Sequence, residues 1–128
     1  MLDNPYIYEY AVIRLVPKVE RGEFINIGLA VLCKNEAWIK MDYLLKPDLL
    51  ACLCPQIDSD FIQNNLEAFK SIAHGENENS PIAKMDAPER FRWLTAVRSS
   101  IIQTSRPHVG LSEDLEETFQ RLFSELVE

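Results

Sequence analysis

The chain has 128 residues and a formal net charge of -7 at neutral pH, with a pI near 4.8. That length is close to the commonest size of a single domain, and 47% hydrophobic with 26% charged residues gives enough apolar side chain for one core. The acidic balance argues against non-specific attachment to nucleic acid or to an anionic membrane, because both need a positive surface.

Read in order, residues 1–128 form one domain. Tyr6 to Val16 is rich in aromatic and β-branched residues and stops at Pro17, the pattern of a strand. Lys18 to Gly22 is a charged turn. Phe24 to Cys33 is a second strand, apolar on both faces for much of its length and therefore central. Lys34 to Glu36 turns the chain into a shorter third strand, Trp38 to Tyr43, and short polar connections favour an antiparallel meander. Pro47 opens a short helix that Pro55 closes. Asp58 or Ser59 caps a longer one, with Ile62, Leu66, Phe69 and Ala73 at helical spacing. Glu76 to Asp86 reads as a polar surface loop. A third helix runs from Pro88 to about Ser99, burying Phe91, Leu94 and Val97. Ile101 to Gln103 suits either a fourth strand or the tail of that helix. Ser112 caps the last helix, whose buried stripe is Leu115, Phe119, Leu122, Phe123 and Leu126. The fold class expected is α+β: an antiparallel sheet of three or four strands with amphipathic helices packed on one face.

The N-terminus lacks the basic start and apolar run of a secretory leader, and no stretch approaches the roughly 20 apolar residues of a membrane span. Cys33, Cys52 and Cys54 are odd in number and lack paired metal-ligand spacing. They read as reduced, buried thiols of a cytoplasmic protein, with no metal and no cofactor expected.

The residues that stand out chemically are polar groups among apolar ones. Arg14 ends the first strand and Glu23 precedes the second, so a hairpin brings their ends together as a clasp or as an Arg oriented to hold an anion. Asn26 and Gly28 share one face of a regular strand, and a glycine there marks a bulge or a close approach. Arg90, Arg92, Arg98 and Arg106 concentrate positive charge in an acidic chain. They either meet a phosphate or carboxylate or pair with Glu113, Asp114, Glu116 and Glu117. His108, in a loop near Arg106 and ahead of Asp114, suits proton transfer or a turn hydrogen bond. No nucleophile-base pair, phosphate loop or metal cluster accompanies these residues.

Tyr8-Glu9-Tyr10 leading to Arg14-Leu15-Val16-Pro17, then Arg21-Gly22-Glu23-Phe24-Ile25-Asn26-Ile27-Gly28, resembles the bacterial family catalogued as domain of unknown function 3037. Arg98, the Arg106 to Leu111 loop, Asp114 and the Leu122 to Val127 helix extend the resemblance over nearly the whole chain. It implies a small bacterial cytoplasmic protein with no established activity and, as a partner, a HipA-like kinase. The reading that results is a binding or accessory module for a protein partner or an anionic small molecule. Its polar site is expected among Arg14, Glu23, Asn26, Gly28, Arg98, His108 and Asp114. A homo-oligomer stays open, and neither a membrane nor nucleic acid is expected. The alternative is a small enzyme for a phosphate-containing substrate, with Glu23 or Asp114 as base or metal ligand. The two differ in geometry. An enzyme gathers these residues around one pocket, whereas a partner module shows an apolar patch or an open sheet edge.

Overall fold

Strand β1, Tyr6–Leu15, is the axis of the molecule, and every other strand is placed relative to it. The computed structural model describes residues 4–53, 55–76, 79–96 and 101–128. β1 turns through a single 3-10 turn, Val19–Arg21, into β2, Ile25–Cys33, and β2 turns into β3, Trp38–Tyr43, all antiparallel. Helices α1 (Pro47–Leu53), α2 (Ser59–Ala73) and α3 (Ala87–Leu94) follow, then strands β4 (Ile102–Thr104) and β5 (His108–Ser112), then helix α4 (Leu115–Leu126). The sheet order is β3-β2-β1-β4, and β5 pairs with the N-terminal half of β1 on the β4 side.

The class is the expected α+β with an antiparallel sheet, but the described residues give the sheet five strands and cover both its faces. Side chains alternate across a strand, so β1 serves two cores. Ala11, Ile13 and Leu15 join Ile62, Leu66, Phe91 and Leu94 under α2 and α3. Tyr8 and, on β2, Leu29, Val31 and Cys33 pack instead against Leu115, Phe119 and Leu122 of α4. β2 is buried from Ile27 to Cys33 because helices lie on both of its faces. No described helix is long and apolar enough to cross a membrane.

Local signals explain most boundaries. Asp58, Asp86 and Asp114 are the N-caps of α2, α3 and α4, each accepting a backbone N–H of the first turn. Asp114 thus takes the capping role expected of Ser112. Ser112 is buried instead, its hydroxyl bonded to Thr118 and accepting from the Asp114 N–H at 3.1 Å. The segment before α3 is not simply a solvated loop either. Ala83 is buried, and the Arg90 guanidinium ties the region down by donating to the carbonyls of Ala73 (3.0 Å) and Met85 (2.6 Å). Val97 and the end of the expected third helix lie outside the described residues. Ile102–Thr104 resolves the fourth-strand alternative in favour of a strand.

A bulge on the β1–β2 ladder changes one further expectation. Ile13 pairs with Gly28 and Arg14 with Asn26, so Ile27 is an extra residue between them. The bulge puts Gly28 on the α2/α3 face, beside Ile13, and leaves Asn26 on the α4 face, where it donates to the Leu126 carbonyl at 3.1 Å. The two residues do not share a face. Among the described cysteines, Cys33 is buried and free, whereas Cys52 is free but exposed on the short helix α1, contrary to the burial expected of it.

Candidate functional site

The sequence-derived polar cluster does not close into one pocket. Arg14 does not meet Glu23. Register alone accounts for this, since Arg14 faces Asn26 and the last pair of the ladder is Leu15 with Ile25, leaving Glu23 beyond its end. Glu23 finds a nearer partner in Arg21, whose Nε donates to its Oε1 at 2.7 Å, in an exposed pair worth about 0–1 kcal/mol. The Arg14 guanidinium carbon lies 4.1 Å from the centroid of the Phe24 ring, the diagonal neighbour on the same face. Arg14 Nε and Asn26 Oδ1 are buried and have no hydrogen-bond partner among the described residues.

The remaining candidates scatter. Gly28 is approached by the chain itself rather than by open space: a Cβ there would stand 2.9 Å from the Asp42 carbonyl oxygen of β3. His108 sits in β5, exposed, with its ring 5.2 Å from that of Tyr10. Asp114 Oδ1 accepts the Glu117 N–H at 3.2 Å as a helix cap. Arg98 lies outside the described residues. Among the described residues, Arg90, Arg92 and Arg106 form no ion pair with the last helix. Arg90 is bound by carbonyls, and the ion pair that reaches α4 from the sheet is Lys40 with Glu116, at 2.7 Å.

Two arrangements were not foreseen. The first lies between β3 and α2, over a cleft of about 710 Å³ lined by Asp42, Tyr43, Leu45, Leu50, Gln63 and Glu67 among others. Tyr43 donates to Glu67, and burial together with that carboxylate pushes its phenol up to about 12. Asp42 pairs with Lys70 at 3.2 Å. One turn on, His74 Nε2 accepts the N–H of Met41 at 3.2 Å, which caps an outward amide of the edge strand β3. Only an imidazole with a free ring nitrogen can accept that bond, and burial pushes its pKa below the ordinary histidine value of 6.5. The sign follows directly. The unfolded chain takes up the proton at 6.5 and the folded chain resists it, so stability is full above 6.5 and falls as pH drops toward the folded-state pKa. Urea midpoints compared between pH 7 and pH 5 should decline less in His74→Gln than in the parent; equal declines would remove His74 as the cause. Lone polar residues at helical spacing on α2 were the available signal for this row, and they read equally well as a solvated face.

The second arrangement is the exposed face of the β1/β5 pair. Ile7 pairs with Leu111 and Glu9 with Val109, so the three apolar side chains occupy one face at the end of the sheet that α2 and α3 leave uncovered. Ile7, Val109 and Leu111 are 54%, 69% and 57% exposed. Beside them a cleft of about 410 Å³ includes Glu9, Lys34, Pro88, Arg92, Pro107 and Val109. Lys34, Arg92 and the nearby Arg106 make no ion pair with a described residue. Sequence alternation over His108 to Ser112 was the signal for this strand, masked by the glycine at its centre and the proline before it.

No curated protein and no solved structure matches the chain. The family model described as protein of unknown function DUF3037 matches residues 10–127, and the chain belongs to that family.

Proposed function

We propose that the chain is a binding module that docks a protein partner on the exposed β1/β5 face. What carries this reading is the strip of Ile7, Val109 and Leu111, all more than half exposed on one face of an antiparallel pair. Three large apolar side chains held together in water are the usual mark of a recognition surface rather than of an ordinary exterior. Lys34 and Arg92 in the cleft beside it, against the carboxylate of Glu9, favour a partner surface with an acidic rim about an apolar centre. A HipA-like kinase, the partner implied by the family resemblance, is the first protein to test. The enzyme alternative has less support, because Glu23, Asn26, His108 and Asp114 are engaged in four separate places.

The test replaces the cross-strand pair at one end of the strip. Ile7→Lys together with Leu111→Glu should weaken association with a HipA-like kinase of the same organism by about 100-fold, as loss of a central apolar anchor does. Both positions are exposed and the two new charges are opposite in sign, so thermal unfolding should stay near that of the parent. Unchanged affinity in the folded double variant would refute docking through this face.

A further inference from the structure

We infer that the outer edge of β5 is a self-pairing edge: two copies of the chain join antiparallel along His108–Ser112 about a two-fold axis at Gly110, merging two five-stranded sheets into one. The two outer edges of the described sheet differ in their defences. β3 carries Lys40 and Asp42 and has an outward amide capped by His74, so it resists pairing. β5, His-Val-Gly-Leu-Ser, carries no lysine, carboxylate or proline, pairs with β1 on one side, and has no described strand on the other. An undefended edge of this kind is a template for another strand.

The sequence around Gly110 favours a second copy as the occupant. With Gly110 on the axis, Val109 stands opposite the partner's Leu111 and Leu111 opposite the partner's Val109, joining apolar residues on the same face of the merged sheet. One step further out, His108 stands opposite the partner's Ser112. Two residues beyond each end of the strand, Arg106 and the partner's Asp114 fall at matching positions about the axis, within reach of a long guanidinium side chain, and symmetry repeats the pair. Arg106 is exposed and makes no ion pair with a described residue. Asp114 uses Oδ1 for its helix cap and leaves its other oxygen unengaged by any described residue. The backbone at Asp114 is itself extended, with φ -144° and ψ 108°, one bend at Glu113 beyond the end of β5. Gly110 itself is fixed by the other side of the strand: a Cβ there would lie 2.5 Å from the buried Tyr8 ring, so the axis residue stays free of a side chain. Pairing along the edge leaves the face open and sets the Ile7, Val109 and Leu111 strip beside its twin. The inference does not depend on the docking reading, since it needs no other protein.

Sedimentation equilibrium of the full chain across micromolar concentrations tests it. The parent should approach a dimer as concentration rises. Arg106→Asp sets two like-charged pairs across the axis and should raise the dimer Kd about tenfold or more. Asp114→Lys should do the same through its clash with the partner's Arg106, and an equimolar mixture of the two variants should recover a heterodimer, because opposite charges then meet at both ends. Asp114→Lys also gives up the helix cap, so its fold is verified by circular dichroism; if it does not fold, Arg106→Asp alone decides. A parent that stays monomeric overturns the inference and leaves partner docking untouched. A dimer indifferent to Arg106→Asp overturns it as well.

Discussion

Phe119→Ala should destabilise the fold by about 3–5 kcal/mol, more than any surface change in the molecule. Phe119 is 1% exposed and lies at the middle of the second core, between Leu115 and Leu122 on its own helix and against the β2 side chains of the α4 face. Its ring stacks on Phe123 at 5.9 Å between centroids, and the Lys40 ammonium lies 4.9 Å above it. Removing the ring opens a cavity that β2, buried on both faces, cannot close by moving inward. The consequence extends along the helix. α4 meets the sheet through one stripe, and the Lys40–Glu116 pair and the Asn26 bond to Leu126 both require it seated. Urea unfolding should show a much lower midpoint, and a loss below about 1.5 kcal/mol would mean that α4 is not a structural layer of the domain. The β1/β5 strip lies on the other face, so the folded fraction should still dock its partner. That separates damage to the core from damage to the surface.

The asymmetry between the two cores explains how much of the fold could be read beforehand. β1, β2 and β3 announce themselves because their apolar runs are long and bounded by Pro17, Gly22 and the Lys34 to Glu36 turn. The buried positions of α2 and α4 follow helical spacing closely enough to name in advance. A helical stripe says that a face is buried but not against which side of a sheet, which is why α4 on the opposite face was not legible. β5 was missed for a different reason. A five-residue strand held by β1 alone owes its existence to the partner strand, not to its own propensity, which Gly110 and Pro107 lower.

The polar residues were found, but their partners were not. Arg14, Glu23 and Asn26 do stand out from an apolar background, yet pairing Arg14 with Glu23 assumed a turn short enough to bring the two level. The ladder closes wider than that, ending at Leu15 with Ile25, and Glu23 is left to a local contact with Arg21. Ser112 illustrates the same limit. A serine before a helix reads as a cap, but Asp114, two residues on, holds the extended backbone a cap requires and takes the position. Arrangements made by residues far apart in sequence, such as Tyr43 with Glu67 and Met41 with His74, leave no local signature.

Gly28 is where this reasoning can be tested most sharply, since its glycine was compatible with either a ligand approaching the strand or a backbone doing so. The geometry favours the backbone. A Cβ at 28 would lie 2.9 Å from the Asp42 carbonyl oxygen and 3.2 Å from both Cβ and Cδ1 of Ile13. The carbonyl belongs to the neighbouring strand and cannot swing aside as the end of a long side chain could, and Ile13 is itself buried in the first core. Gly28→Ala should therefore force β2 and β3 apart at the bulge and cost about 1–3 kcal/mol as overpacking, although alanine normally gains over glycine through the unfolded state. Gly28→Val should cost more, because its branched Cβ adds further volume against Ile13 and the Asp42 carbonyl. The effect should appear in urea midpoints for both variants and in faster amide exchange at Leu29 and Asp42, which pair beside the bulge. If Gly28→Ala folds with parental stability but loses partner binding, the glycine serves an approaching ligand and the close-packing account fails.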